Sequence, residues 1–281
     1  MVRAKDKEMN YERIKVESLA PTIGGEISGV DLAQPLDRGL YAEIHAALLD
    51  RKVIFFRDQD ITEQQHMAFA RNFGELEVHP FATPSHIPEM MVIAHGEKSR
   101  GRENTWHSDV TFRLRPAMGS VLRGVEMPAV GGDTLFADMN AAYEGLSASM
   151  QRMLGELTAI HDFQRTFSRG LSPEKLHEMR REHPPAEHPV IRTHPETGLK
   201  SVYVNRLFTS HIVGMNRDES TRLLEFLYSL ASIPEYQIRF KWRNNSIAFW
   251  DNRAVQHYAV SDYYPQRRVV NRFTIIGDKP V

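Results

Sequence analysis

Thirteen histidines stand in a chain of 281 residues that has no cysteine. Any metal chemistry must therefore run on imidazole and oxygen donors, and thiolate nucleophiles, sulfur-ligated metals and disulfides are excluded. On one face of a strand, residues i and i+2 lie about 6.6 Å apart and can reach a single ion. Three His-x-Asp/Glu pairs have that spacing: His95 with Glu97, His107 with Asp109, and His194 with Glu196. With 13 His and 36 Asp+Glu in 281 residues, about two such pairs arise by chance. Context separates them. His95-Gly96-Glu97 opens a charged, glycine-broken stretch that reads as a solvated loop, and Pro195 with Thr197-Gly198 makes the third pair a turn. His107 and Asp109 lie between Trp106 and Val110-Thr111-Phe112, a β-prone setting that can hold both side chains on one buried face. On spacing alone, a histidine satisfied by its neighbouring aspartate is the commoner arrangement.

A second group lies near the C-terminus: Trp250-Asp251-Asn252-Arg253, Gln256-His257-Tyr258, and a run from Pro265 to Arg272. If Val269 to Ile276 is a strand, Arg268, Val270, Arg272 and Thr274 share one face and Val269, Asn271, Phe273 and Ile275 the other. The two arginines are then about 13 Å apart along the strand, far enough to meet two different anions. A buried guanidinium needs a counter-ion, so inward-facing arginines imply carboxylate, sulfonate or similar partners, whereas outward-facing ones would pair with surface acids.

These groups need a scaffold. Lys52-Val53-Ile54-Phe55-Phe56 reads as a buried strand, and Ile238, Phe240 and Trp242 alternate with polar residues in the two-residue rhythm of another. Ser246 to Trp250 and Val269 to Ile276 continue the pattern. Thr62 with Gln65 forms a capping box for a helix that stops near Gly74, and a second helix follows Asp218, where Leu223, Leu224, Leu227, Leu230 and Ala231 recur before Pro234. Few helices and many short β-like runs point to a mainly β fold with helical decoration, an antiparallel sheet or double-sheet jelly roll. No repeat or linker marks a boundary, so one domain over residues 1–281 is expected. Lys+Arg 35 against Asp+Glu 36 leaves a net charge of −1. No global field then favours nucleic acid or an anionic membrane. The absence of a secretory h-region or a spanning apolar run sets a cytoplasmic location as the expectation.

With Trp106-His107-Ser108-Asp109-Val110-Thr111-Phe112, Gly131-Gly132-Asp133-Thr134, Trp250-Asp251-Asn252-Arg253, Gln256-His257 and Arg268-x-x-x-Arg272 in this order, the chain resembles the taurine dioxygenase (TauD/TfdA) family. Residues 23–32, Phe73-Gly74-Glu75-Leu76 and Gly277-Asp278-Lys279-Pro280 extend the similarity almost end to end. Ordered motifs over so much of the chain outweigh the commoner arrangement of a lone His-x-Asp. The resemblance implies a double-stranded β-helix holding non-haem Fe(II), with 2-oxoglutarate and O2 as co-substrates. It implies His107, Asp109 and His257 as metal ligands, and Arg268 with the Thr134 hydroxyl as the clamp for the distal carboxylate of 2-oxoglutarate. Arg272 is implied to meet the anionic head of the prime substrate, with His79, Val110, Phe167 and Phe208 lining its pocket. Phe167 and Phe208 could equally be core aromatics and His79 a surface residue.

The chain departs from taurine-specific relatives at Ala82, where they carry tyrosine, and at Glu103, where they carry asparagine; Asn104 is adjacent. Ala82, Phe81 and Phe208 favour a bulkier, less polar body than taurine. The expectation is a small organic acid with a sulfonate, sulfate ester or carboxylate head, an aryloxyalkanoate included. Hydroxylation gives succinate and CO2, and loss of the head would release sulfite or sulfate with an aldehyde. Two rivals remain: a metal-dependent hydrolase using the same ligands, and a β-sandwich binding module without turnover. Family analogy alone implies a homo-oligomer, a dimer or tetramer.

Overall fold

The computed structural model describes residues 10–80, 85–168 and 171–281. Strands buried on both faces at the centre build the main layer. Its seven strands run in the order β1 (Lys15–Ser18), β2 (Gly25–Ser28), β3 (Val53–Phe56), β13 (Ile247–Asp251), β5 (Ala117–Glu126), β15 (Arg268–Ile276) and β4 (Met90–His95). Neighbours are antiparallel except β2 and β3. Val53 and Phe55 of β3 pack on one face of the sheet with Leu122, Ala248, Trp250 and Val270, while Ile54 and Phe56 pack on the other with Val121, Ile247, Phe249 and Phe273.

Each face acquires its own cover. The three-stranded sheet β12 (Gln237–Phe240), β6 (Thr134–Asp138) and β14 (Val255–Ala259) contributes Ile238, Phe240, Phe136 and Val255 to the first face. Helices α1 (Arg38–Arg51) and α2 (Glu63–Arg71) cover the second with Ile44, Leu48 and Phe69. Beyond the small sheet lie α3 (Met139–Glu144), α4 (Ala148–Leu154) and α7 (Arg217–Ser229), which share a third cluster with strands β9 (Ile191–Thr193) and β10 (Lys200–Val202). The sheet β11 (Thr209–Ile212), β7 (Thr158–His161) and β8 (Ala186–Pro189) borders an aromatic cluster that also takes in α5 (Gln164–Phe167) and α6 (Pro173–Glu182).

The sequence patterns locate β3, β13, β15, α2 and α7 to within a residue or two at most ends. The Thr62/Gln65 capping box is formed, and α7 starts from a second box built by Asn216 and Glu219. Strand β12 ends at Phe240, and Trp242 beyond it turns its indole N–H to the Thr134 hydroxyl at 2.9 Å. Helical content exceeds the expectation of few helices: seven lie among the described residues, and α1, with 14 residues, begins where the Asp37 carboxylate accepts from the amides of Gly39 and Leu40. No helix among the described residues is long and apolar enough to cross a membrane.

Against the helix-covered face of β15, His66 of α2 sets its ring edge-on to Phe273, with centroids 4.8 Å apart. Burial, reinforced by the Arg123 guanidinium, lowers the His66 pKa to about 3. The unfolded chain then binds more protons than the folded one below pH ~6.5, so this contribution to stability is present above that pH and is lost as the pH falls toward the folded value. His66→Met is therefore expected to flatten the loss of the urea midpoint on acidification from pH 6.5, measured against the parent protein.

Candidate active site

The inner face of β15 carries Arg268, Val270, Arg272 and Thr274, and the space between it and the small sheet is a cavity lined also by His107, Thr134, Trp250 and His257. Strand β14 brings His257 in from the small sheet. His107 meets it through an isolated antiparallel bridge: the His107 amide donates to the His257 carbonyl at 3.1 Å and the reverse bond is 2.8 Å. The two rings lie with centroids 4.1 Å apart. The reading of His107-Ser108-Asp109 as one strand face is corrected here, because Asp109 sits in a turn and Val110 has φ of 46°. What brings Asp109 alongside is the corner after β13. Asn252 accepts from the Asp109 amide at 3.1 Å, and the Ser108 hydroxyl donates to the Val255 carbonyl at 2.7 Å.

Asp109 Oδ1 lies 3.8 Å from His107 Nε2 and 3.9 Å from His257 Nε2, and the three side chains offer donor atoms all within 4.8 Å of one another. His107 Nδ1 lies 2.7 Å from the Thr105 carbonyl, which fixes the proton there and leaves the Nε2 lone pair facing Asp109. Burial lowers the pKa of His107 and holds that of His257 well below the ordinary histidine value, which favours neutral rings able to act as ligands. Burial pushes the Asp109 carboxyl up, but Arg272, the two histidines and the Ser120 hydroxyl together outweigh it and hold the group well below the usual carboxylate range. Two neutral imidazoles and one carboxylate on one side of a common point suit non-haem Fe(II) and leave coordination positions open.

The arginines are held differently. Arg268 Nε donates to the Gly132 carbonyl at 3.1 Å, which leaves the two terminal amino groups for a bidentate partner. Gly132 has φ of +69°, which favours glycine, and a Cβ there would meet Arg268 Cδ at 3.0 Å and crowd the guanidinium from its place. The Thr134 hydroxyl lines the same cavity and already accepts from Trp242, so its own proton is left to donate. Arg272 Nη1 donates to Asp109 Oδ1 at 2.7 Å, Nη2 lies 3.3 Å from the Met91 sulfur, and the buried Nε has no partner among the described residues.

An arc of rings continues from the metal side: His107 to Phe208 at 6.5 Å between centroids, Phe208 to Phe167 at 6.1 Å, and Phe167 to His79 at 5.8 Å. Burial, with Arg272 adding to it, lowers His79 to about 3, so the ring is neutral. Val110 is 2% exposed. Its φ of 46° costs this β-branched residue roughly 1–3 kcal/mol of strain, and among the described residues no acceptor for its amide is found.

Glu103 also lines the cavity, tied to His95 Nε2 at 3.2 Å. His95 ends β4 opposite Arg268, so the loop expected at that histidine begins one residue later. Phe81 and Ala82 lie outside the described residues. Sequence reasoning missed Gly132 as an acceptor, Trp242, Ser120 and the linking role of Asn252. Ser120 offered a signal, as a lone hydroxyl in the apolar run of β5.

Among known proteins, the family model described as "Taurine catabolism dioxygenase TauD, TfdA family" matches residues 15–274. The chain is 34% identical over 275 residues to an alkylsulfatase of Acinetobacter baylyi, covering 95% of this chain and 86% of that one. It is 36% identical over 276 residues to an alpha-ketoglutarate-dependent sulfate ester dioxygenase of Pseudomonas putida, covering 95% and 91%. A taurine dioxygenase structure from Burkholderia xenovorans superposes with a TM-score of 0.82 at 40% identity, covering 96% of this chain and 91% of that one.

His257→Ala is expected to weaken anaerobic Fe(II) binding, measured by titration calorimetry, by about 100-fold or more while the far-ultraviolet dichroism stays that of the parent.

Proposed function

The chain belongs to the TauD/TfdA dioxygenase family, and on that premise we propose that it oxidises a small alkyl sulfate ester at the carbon bearing the sulfate. It is an Fe(II)- and 2-oxoglutarate-dependent dioxygenase. The bound metal and co-substrate supply O2 activation, one oxygen atom going to succinate and the other to a C–H bond.

In our reading, His107, Asp109 and His257 hold the iron, and Arg268 with the Thr134 hydroxyl takes the distal carboxylate of 2-oxoglutarate. Arg272, the Val110 amide and the neutral His79 ring hold the sulfate, while Phe167 and Phe208 flank the carbon chain and keep water from it. Single-domain organisation over residues 1–281 and a double-stranded β-helix belong to the same reading; it is supported by β1 to β3 joining a sheet completed by β13 and β15.

The observation that carries the proposal is the pairing of Arg272 with Asp109 beside an amide without an acceptor: an anionic head placed there sets its own α-carbon next to the metal ligands. The names of two relatives, an alkylsulfatase and a sulfate ester dioxygenase, favour the ester over a sulfonate or aryloxyalkanoate. Hydroxylation of R–CH2–OSO3⁻ gives R–CH(OH)–OSO3⁻. The hydroxyl proton is then lost, the C–O bond to sulfate breaks, and the products are R–CHO and hydrogen sulfate.

Incubation with hexyl sulfate, 2-oxoglutarate, Fe(II) and O2 is expected to yield hexanal, sulfate and succinate in equal amounts. Hexanol without O2 uptake would mark a hydrolase, and faster succinate formation with hexanesulfonate or phenoxyacetate would replace the ester. Arg272→Ala should raise the KM for hexyl sulfate by roughly 10- to 100-fold, the loss of a charge-assisted bond. Slow 2-oxoglutarate decay without substrate should persist in that variant.

A further inference from the structure

Val110 is the one β-branched residue among the four described non-glycine residues with positive φ. A conformation so unfavourable for valine persists only where its surroundings impose it. On the N-terminal side, Asn252 and Val255 fix Asp109 and Ser108. On the C-terminal side stands a buried polar cluster that the chemistry above does not use. The Thr111 side chain is fully buried; its hydroxyl receives the Asn205 amide at 3.0 Å and lies 2.9 Å from His161 Nδ1.

His188 Nε2 bridges the carbonyls of Thr111 and Arg113 at 3.0 and 2.9 Å, and the Arg113 amide closes onto the Val110 carbonyl at 3.0 Å. Asn205 uses its other end as well. Its Oδ1 accepts from the Phe208 amide at 3.0 Å, so one side chain joins the segment carrying Phe208 to the segment carrying Val110.

Building on the sulfate reading above, we propose that Thr111, gripped by Asn205 and His161, is the positioning residue that forces the Val110 backbone to leave its amide unpaired for the anionic head of the substrate. His188 clamps the same turn from behind. Binding of the head and of the carbon chain are thereby set by one buried network, because Asn205 fixes the Phe208 wall relative to the Val110 amide. The residues of this network touch neither iron nor 2-oxoglutarate, so their loss should separate prime-substrate affinity from co-substrate affinity.

The test is Thr111→Val, which keeps the shape and removes the hydroxyl, beside Thr111→Ser, which restores it. His161→Phe removes one partner of that hydroxyl and serves should Thr111→Val fail to fold. Crystal structures of the iron-loaded proteins are expected to show Val110 at positive φ in the parent and in Thr111→Ser, and at negative φ in Thr111→Val. Hexyl sulfate binding, read anaerobically from the change it makes in the Fe(II)–2-oxoglutarate charge-transfer absorption, should weaken roughly tenfold in Thr111→Val, the scale of one lost hydrogen bond. The 2-oxoglutarate affinity from the same band should stay within about twofold of the parent. A positive φ retained in both Thr111→Val and His161→Phe overturns the proposal, as does a relaxed φ with unaltered hexyl sulfate affinity. Failure of the parent itself to bind hexyl sulfate counts against the sulfate reading instead, and the φ of Val110 still decides whether the network positions it.

Discussion

The buried, ionised carboxylate of Asp109 constrains what surrounds it. Asp109 is 4% exposed, and burying such a charge without partners costs several kcal/mol or more. Its partners are unequal. Ser120 occupies Oδ2 at 2.8 Å, while Oδ1 takes the Arg272 guanidinium and also faces both imidazoles. Any cation held by His107 and His257 therefore draws on the oxygen that Arg272 already uses. As that oxygen shares its charge, Arg272 becomes a stronger attractor for an external anion. In the proposed reading, metal and head group would be coupled through that one atom.

The period of β15 supplies the second arginine at the proper remove. Its outer positions, Phe273 and Ile275, are fixed in the helix-covered core. Shifting the register by one residue would drive Arg268 and Arg272 into that core, so the apolar face enforces the polar one. Two guanidinia some 13 Å apart along a strand cannot serve one small anion. In the proposed reading one serves a co-substrate end at Gly132 and Thr134 and the other a prime-substrate end at Asp109.

How much of this could be read from the chain depended on whether the signal was local. Which residues of β15 share a face follows from alternation alone, though not which face turns to the cavity, and the capping box at Thr62 needs four residues to declare itself. Helix α1 escaped because it buries only Ile44, Ala47 and Leu48, too few to mark a helical stripe, although Asp37 caps it by accepting from the amides of Gly39 and Leu40. The His107–Asp109 pair was found for a reason that fails in detail. The two side chains converge because His107 is bridged to His257, 150 residues on, and Asp109 is pinned by Asn252, 143 residues on, contacts of a kind no local pattern encodes. Nor could any propensity place a valine at positive φ. The contacts that hold its neighbours, from Asn252 and Val255 on one side and from Asn205, His161 and His188 on the other, all come from distant segments.

The loop that carries Asp109 raises a general difficulty, since a loop positions a ligand less well than a strand does. The corner after β13 answers it. Asp251 is ionised and buried between Arg253, at 2.8 and 2.6 Å, and His194 Nε2, at 3.0 Å. His194 can donate there because its Nδ1 accepts the amides of Glu196 and Thr197, and Glu196 in turn pairs with Arg253 at 2.7 Å. That closed ring of charges stiffens the turn on which Asn252 stands. The Asn252 oxygen is itself aimed by the Trp250 indole at 3.0 Å, leaving its second lone pair for the Asp109 amide. The loop is thus braced from the end of a central strand, and His194, read from the sequence as part of a turn, contributes to it.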